Sequence, residues 1–385
     1  MIRGRGGSRA AESTAETASG PGAATGGRGP APLSAPGGKW LFKAGDGRLT
    51  AYAAGPRALV RWTEDPAAEG RWTGPEPLDV PGWAGAVAMA QNREGYVHFA
   101  VLRHPVQGDE GPEIAFATQF QSGRALTDWH SLGVPGVRGG PAGDRIAGPP
   151  RIAVNQRSGS VHVLVPLRLG GIVRRSRNSE GAWGTWKQVT AESYAGELAV
   201  VMPAGAPLEL LAFGQAGIDR WTGAGQGRFR LAERIGTPVV PGTPAVCETG
   251  RGRATYFWRY PGDGSLVAWR APHQEVQGGL MALGGAGGQG PAGVCRALIG
   301  EYDCTVLTQV GAQGDIELTA YVTENEGYGA WWASLGGRGL RTPQVAVDSA
   351  GRVVVAALDP AGALVTARQD PTHPTLTFTP WHPAT

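Results

Sequence analysis

The 385-residue sequence carries 35 Lys and Arg residues against 32 Asp and Glu residues, a formal net charge of +3 at pH 7. A charge this small and dispersed argues against a nucleic-acid-binding surface. Hydrophobic residues make up 41% of the chain and thirteen residues are Trp, which excludes disorder for most of its length, while 63 Gly and 30 Pro predict many short elements separated by turns.

Residues 1–38 differ from the rest because they contain no aromatic residue and no β-patterned apolar run. We expect a disordered, slightly basic tail that neither packs on the rest of the chain nor completes a sheet, with Pro32-Leu33 as the only weak anchor, at the edge of the first blade. A structured domain should follow over 39–385. The segment lacks the apolar centre of a standard secretory signal, and no run of 18 apolar residues predicts a membrane span. A cytoplasmic protein, or one exported without a standard signal peptide, is expected.

A short strand pattern recurs along the remaining chain, and five of its seven copies begin with Gly. The copies are spaced by about 46 to 51 residues, with one gap of about 64, which is the range of propeller repeats. The copies begin at Gly47, Gly95, Gly159, Ala206, Gly252, Tyr302 and Gly351.

Each copy is followed by a tight turn, a third strand and, in most repeats, a fourth element that contains Trp. Four antiparallel strands repeated seven times predict an all-β fold, a seven-bladed β-propeller of four-stranded blades. The first repeat begins with its inner strand and the last ends with its outer strand. The ring is therefore expected to close by face packing between the first and last blades, without an exchanged strand.

Several repeat segments resemble the Trp-rich, seven-bladed propeller lectins of the PLL type. The segments PGDGSLVAWR and PRALVRW match the Gly-led turn and Trp-ended strand of that repeat, Trp183 and Trp186 match its W-x-x-W, and SLGG at 334–337 matches its Leu-Gly-Gly turn. The resemblance covers most of 39–385, although each copy is degenerate. It implies a protein that binds sugars such as fucose in pockets between blades.

Trp residues near the end of the third strand are the candidate ligand-binding residues, because indole rings stack on the C–H faces of sugars. They are Trp62, Trp221 and Trp269. The neighbouring Arg61, Arg220 and Arg270 would donate hydrogen bonds to hydroxyl or carboxylate groups. The alternative is that these rings fill space between blades while the arginines cap exposed edges.

Other polar or reactive residues are interpreted as structural. The recurring outer-strand Trp72, Trp129, Trp186, Trp332 and Trp381 are expected to pack the scaffold. His98, His162 and Glu209 share one register and are expected to form a polar slot that bonds to local backbone, and Cys247 and Cys295 to be small buried residues, so no metal site, disulfide or cofactor is predicted. Acidic pairs are expected on the solvated surface; they are Glu64 with Asp65, Asp109 with Glu110, and Glu324 with Glu326.

No catalytic residues are predicted, because the sequence has no recognisable catalytic or nucleotide-binding motif. Three functions stay open: a lectin-like protein that binds a glycan or glycoconjugate, a protein-binding scaffold that uses the top face of the ring, and an enzyme with a site at the central channel. Exposure of the third-strand Trp rings in pockets would favour the first.

Overall fold

A computed structural model describes residues 33–384 except 69, 106–110, 136–145, 195, 215–216, 226, 274–275 and 374. The predicted tail up to residue 32, and the acidic pair Asp109 and Glu110, lie outside the described residues. Within these ranges the chain forms seven antiparallel sheets of four strands each, and in every sheet the strands lie side by side in chain order. The predicted all-β, seven-bladed propeller is confirmed.

The strand bounds of the first four blades are as follows. Blade 1 contains β1 (Leu41–Lys43), β2 (Leu49–Ala54), β3 (Leu59–Glu64) and β4 (Trp72–Leu78). Blade 2 contains β5 (Trp83–Gln91), β6 (Val97–Arg103), β7 (Glu113–Gln119) and β8 (His130–Ser131). Blade 3 contains β9 (Arg151–Val154), β10 (Val161–Pro166), β11 (Ile172–Arg177) and β12 (Lys187–Thr190). Blade 4 contains β13 (Glu197–Val201), β14 (Glu209–Gly214), β15 (Gly217–Gly223) and β16 (Phe229–Ile235).

The last three blades follow the same order. Blade 5 contains β17 (Ala245–Gly250), β18 (Arg253–Arg259), β19 (Leu266–Arg270) and β20 (Gly279–Gly284). Blade 6 contains β21 (Gln289–Ile299), β22 (Tyr302–Val310), β23 (Ile316–Val322) and β24 (Ala333–Ser334), with a 3-10 turn at Glu326–Tyr328 before β24. Blade 7 contains β25 (Arg341–Val347), β26 (Val353–Leu358), β27 (Leu364–Arg368) and β28 (His382–Pro383).

The second strand of each blade supplies most of the core. Every residue of β2, β10 and β26 is buried, on both faces of its sheet. Burial on both faces requires a neighbouring blade on each side, and it explains why these strands are apolar without alternation. The ring thus stabilises blades that would each expose two apolar faces if they stood alone.

The turn between the first two strands brings neighbouring blades into close contact. Gly95, in the β5–β6 turn, has a φ of 85°. A Cβ at this position would lie 2.2 Å from the backbone nitrogen of Gly45 in the β1–β2 turn. Only glycine allows both the backbone conformation and this approach of blade 2 to blade 1.

Four outer-strand Trp residues, each one residue before the fourth strand, join their blade to the preceding one. Each indole N–H donates a hydrogen bond of 2.8 to 2.9 Å to a backbone carbonyl at the outer edge of that blade. The pairs are Trp129 to Asp79, Trp186 to Leu132, Trp332 to Leu283, and Trp381 to Leu335. The predicted scaffold role of these residues is confirmed, and the buried Trp72 belongs to the core of blade 1.

The ring closes by packing of blade 7 against blade 1, as predicted, and among the described residues no strand is exchanged between these two blades. One apolar cluster contains residues from both blades, including Trp40, Phe42, Val354 and Leu364. Across the same junction, Arg368 of blade 7 forms an ion pair with Glu64 of blade 1, with 2.5 Å between Nη2 and Oε1.

The residues just before blade 1 also contact the ring. Ser34 exchanges two backbone hydrogen bonds with Ala54, of 2.7 and 2.9 Å, and Leu33 packs against the cluster shared by blades 1 and 7. The carbonyl of Gly38 accepts a hydrogen bond from Gln344 of blade 7 at 3.3 Å. The packing of Leu33 agrees with the weak anchor expected at Pro32-Leu33, whereas the contacts of Ser34 and Gly38 go beyond it, because backbone hydrogen bonding needs no apolar sequence pattern.

Candidate binding site

The structure buries the three third-strand Trp residues between blades. Trp62 and Trp269 are each 2% exposed and Trp221 is 8% exposed. The indole N–H of Trp221 donates to the hydroxyl of Tyr194 at 2.9 Å, and the ring of Trp269 lies 6.0 Å from that of Tyr256. These environments favour the packing interpretation, and a direct contact of these rings with a sugar stays a prediction.

The arginines beside these rings are occupied by protein acceptors. Arg61 is fully buried and donates to Glu76 and to the carbonyl of Arg124, both at 2.5 Å. Arg220 donates to Glu209 at 2.9 Å and lies over the ring of Trp269, 5.7 Å from its centroid.

Arg270 connects two blades. Its Nη2 lies 2.6 Å from Oε2 of Glu326, which belongs to the 3-10 turn of blade 6, and its Nη1 donates to Thr255 at 3.3 Å. Both side chains of this ion pair are 1% exposed. Arg270 therefore fixes the segment between β23 and β24 of the next blade.

The two histidines in the polar slot are neutral hydrogen-bonding groups. Nδ1 of His98 lies 3.0 Å from the hydroxyl of Thr118, and Nδ1 of His162 lies 3.0 Å from that of Ser176. Burial, with a smaller effect of a nearby arginine, lowers the pKa of each imidazole to about 4. Their partners are hydroxyls of the neighbouring strand rather than backbone groups, which corrects the predicted bonding.

The remaining polar candidates are also held by neighbours. Glu209 accepts hydrogen bonds from Arg220 and, at 2.8 Å, from the hydroxyl of Tyr256. Cys247 and Cys295 are free thiols; Cys295 is buried as predicted, whereas Cys247 is only half-buried. Desolvation raises their pKa values to about 11 for Cys247 and about 12 for Cys295.

Two of the acidic pairs are not on a solvated surface, which corrects that prediction. Glu64 is buried against Arg368, and its other oxygen accepts the backbone N–H of Leu49 at 3.1 Å. Glu324 pairs with Arg253 at 2.6 Å, and Glu326 pairs with Arg270. Each of these carboxylates, whether at the end of a strand or in the loop between β23 and β24, meets a guanidinium group of a neighbouring blade instead of water.

An exposed aromatic loop lies between β23 and β24 of blade 6. Tyr328 is 81% exposed and Trp331 is 76% exposed, the most open aromatic side chains of the described residues. The loop contacts β20 of blade 5, where Leu280 is half exposed. We call this surface, made of Leu280, Tyr328 and Trp331 at the junction of blades 5 and 6, the aromatic rim.

The backbone that carries the aromatic rim is anchored by contacts with buried residues. Glu326, two residues before Tyr328, is anchored by the buried ion pair with Arg270. Gly329 has a φ of 92°, and a Cβ built there would lie 3.5 Å from the indole of Trp331, so the ring lies directly over the glycine backbone. The turn that carries the two rings is therefore anchored at Glu326, while both side chains stay largely exposed.

The sequence contained a signal for this surface. Trp331 directly precedes Trp332, which occupies the recurring position whose indole N–H bonds to the preceding blade. Successive side chains in an extended segment point in opposite directions, so a Trp next to an inward-facing Trp is expected to face outward. The recurring position itself, occupied by Trp332, gives no sign of the exposed Trp331.

The central channel contains a cavity of about 580 Å³. The first strands of all seven blades line it, and their alanines make much of its wall: Ala88, Ala153, Ala199, Ala245, Ala292 and Ala346. Arg151 lines it as well, with Nε donating to the carbonyl of Leu198 at 2.8 Å, and burial lowers its pKa. The channel wall is thus mainly small and apolar.

Comparisons with known proteins agree with this architecture. No known family profile matches the chain, and no curated protein is similar to it in sequence. Among solved structures, the BP39L lectin from Burkholderia pseudomallei is 15% identical, with a TM-score of 0.67 over 90% of this chain and 99% of that one. AofleA from Arthrobotrys oligospora is 11% identical, with a TM-score of 0.51 over 91% and 95% of the two chains.

An ulvan lyase of polysaccharide lyase family PL25 has a similar fold as well, at 10% identity and a TM-score of 0.53, over 85% of this chain and 90% of that one. At these identities the comparisons show the fold. The chain is a seven-bladed β-propeller whose fold is similar to that of a propeller lectin, which confirms the resemblance seen in the sequence at that level. Within the described residues, no helix is long and apolar enough to cross a membrane.

Proposed function

We propose that this protein is a non-catalytic, lectin-like propeller that binds carbohydrate at the aromatic rim, between blades 5 and 6. The observation that carries the proposal is the exposure of Tyr328 and Trp331 on a turn fixed by the buried Arg270–Glu326 pair. An open indole face stacks on the apolar face of a sugar ring, and a fixed turn loses little conformational freedom when it binds.

Two further observations support the proposal. The fold is similar to that of BP39L, a protein described as a lectin. The side chain of Gln277 lies beside the loop, 3.5 Å from the position of a Cβ on Gly327, and would offer hydrogen bonds to sugar hydroxyls.

The chemistry of the described residues supports binding rather than catalysis. His98, His162 and Tyr256, whose pKa values lie far from their ordinary values, are buried and bonded to protein partners. A general acid or base must instead face the ligand within hydrogen-bond reach. Glu326 at the aromatic rim is committed to Arg270 in the same way.

A glycan array tests the proposal. The wild type should bind a restricted set of glycans, and Trp331→Ala should weaken that binding by roughly tenfold or more, because the stacking surface is lost. Leu169→Ala is the matched control, since Leu169 is 83% exposed on blade 3, away from the aromatic rim. Wild-type binding that survives in the Tyr328→Ala/Trp331→Ala double variant, or the absence of any glycan binding, would overturn the proposal.

A further inference from the structure

A basic cavity of about 680 Å³ lies at the end of the channel formed by the turns between first and second strands. Four arginines line it, from four different blades: Arg93, Arg157, Arg251 and Arg296. Blade 4 contributes the backbone of Ala204 and Gly205, and Gln156 and Glu248 complete the wall. We call this cavity the basic mouth.

Three of these guanidinium groups are available to a ligand. Arg93, Arg157 and Arg251 are exposed, and their guanidinium groups have no hydrogen-bond acceptor or ion pair among the described residues. Arg296 differs, because it forms an ion pair with Asp303, with 3.2 Å between its Nε and Oδ1.

Glu248, the single carboxylate among the described residues that line this cavity, already accepts hydrogen bonds from the backbone. Oε1 of Glu248 accepts the backbone N–H of Ala204 at 2.9 Å and that of Gly252 at 3.3 Å. These hydrogen bonds join the turns of blades 4 and 5. The four arginines outnumber this one carboxylate among the residues that line the cavity. Several like charges around a concave surface concentrate anions there.

The size and chemistry of the basic mouth define its ligand. A volume of about 680 Å³ is typical of sites for ligands much larger than one inorganic oxyanion. The planar guanidinium fork matches carboxylate and sulfate groups with two hydrogen bonds each. Gln156, whose Nε2 donates to the carbonyl of Gln91 at 2.8 Å, keeps its amide oxygen for a hydroxyl.

From this arrangement we infer a second saccharide site, in which the basic mouth binds a short acidic oligosaccharide that carries more than one carboxylate or sulfate group. The inference rests on the proposed carbohydrate-binding function and adds a different site and a different class of sugar. Arg93, Arg157 and Arg251 pair with the anionic groups, while Gln156 and the backbone at Gly205 contact hydroxyls.

Isothermal titration in 50 mM NaCl tests the site with four probes: a sulfated tetrasaccharide from heparin, trigalacturonate, inositol hexakisphosphate and neutral maltotetraose. The two acidic saccharides should bind, and the Arg157→Gln/Arg251→Gln variant should bind them about 100-fold more weakly, roughly tenfold for each lost charged hydrogen-bond donor. Arg57→Gln is the matched control. Arg57 is also exposed and without a partner among the described residues, but lies in the β2–β3 turn at the opposite end of the blade.

Equal affinity of the double variant and the wild type would overturn the inference, and so would an equal loss in Arg57→Gln. Inositol hexakisphosphate binding as tightly as the saccharides would show recognition of charge alone and would also overturn it. If the acidic probes fail while glycan binding at Trp331 persists, this inference alone is wrong. If the acidic probes bind at the basic mouth while Trp331→Ala changes nothing, the proposed site at the aromatic rim alone is wrong.

Discussion

Arg270 illustrates how a residue outside the ligand surface controls one. Its guanidinium group is buried in blade 5, yet it pairs with Glu326 two residues before the exposed Tyr328. Desolvation raises the pKa of Glu326 above its ordinary value even with Arg270 beside it. The pair is therefore better understood as a device that fixes the loop than as a large source of stability.

Replacing Arg270 should expose this role. Arg270→Met leaves Glu326 buried without its partner, so the free energy of unfolding should fall by about 3 kcal/mol and glycan binding at the aromatic rim should weaken. Urea denaturation and the glycan array measure the two effects. Arg270→Met/Glu326→Met should recover much of the stability, because no uncompensated charge remains. A single variant as stable as the wild type would show that the pair does not hold the loop.

The third-strand residues also mark the limit of what the sequence could predict about the site. Trp62, Trp221 and Trp269 lie on strands whose two faces are both covered by blades, so alternation along the strand does not distinguish an open ring from a buried one. The arginines beside them gave no better signal, since their acceptors, such as Glu76 for Arg61, come from other strands. Whether one of these Trp rings is exposed depends on contacts between blades, which the sequence of a single repeat does not encode.

At the scale of the element, two adjacent residues just before the fourth strand of blade 6 have different roles. Trp332 donates to the carbonyl of Leu283 at 2.8 Å and joins blade 6 to blade 5, whereas Trp331 faces solvent. The strands themselves were predictable because Gly-led turns and recurring Trp residues repeat with each blade. The exposed residues of the loop between β23 and β24 had a weaker signal, since Tyr328 and Trp331 have no counterpart in a recurring pattern and only the neighbouring Trp332 does.

Substitutions of the two tryptophans should affect protein stability and glycan binding separately. Trp332→Phe removes the indole N–H and leaves the carbonyl of Leu283 without its donor, so the free energy of unfolding should fall by about 1–2 kcal/mol while glycan binding is retained. Trp331→Phe should leave stability unchanged, because that side chain is largely exposed. Urea denaturation of both variants measures the difference. Equal stability of the two would argue against a structural role for the inter-blade hydrogen bond.

At the scale of the whole molecule, stability depends on a junction between chain ends. Blades 1 and 7 share no strand in the part of the chain that the structure describes, where their contact depends on a common apolar cluster and on the ion pair between Arg368 and Glu64. Arg368 also pairs with Asp348 at 2.5 Å. Leu33 lies close to this junction, because a Cβ on Gly362 in the β26–β27 turn would lie 2.6 Å from its backbone nitrogen.

Two deletions of different length before blade 1 should therefore differ in their effect on the free energy of unfolding. Deletion of residues 1–32 should leave the unfolding free energy unchanged, because their composition predicts no burial that would offset the entropy of ordering. Deletion of residues 1–38 should lower it by about 2–3 kcal/mol, since it removes both backbone hydrogen bonds of Ser34, the packing of Leu33 and the acceptor for Gln344. Urea denaturation of the two truncated proteins beside the full chain measures the difference, and Leu33→Ala in the full chain should give part of the larger loss. If both truncated proteins match the full chain, the segment only rests on the ring, and the contact between blades 1 and 7 closes it without help.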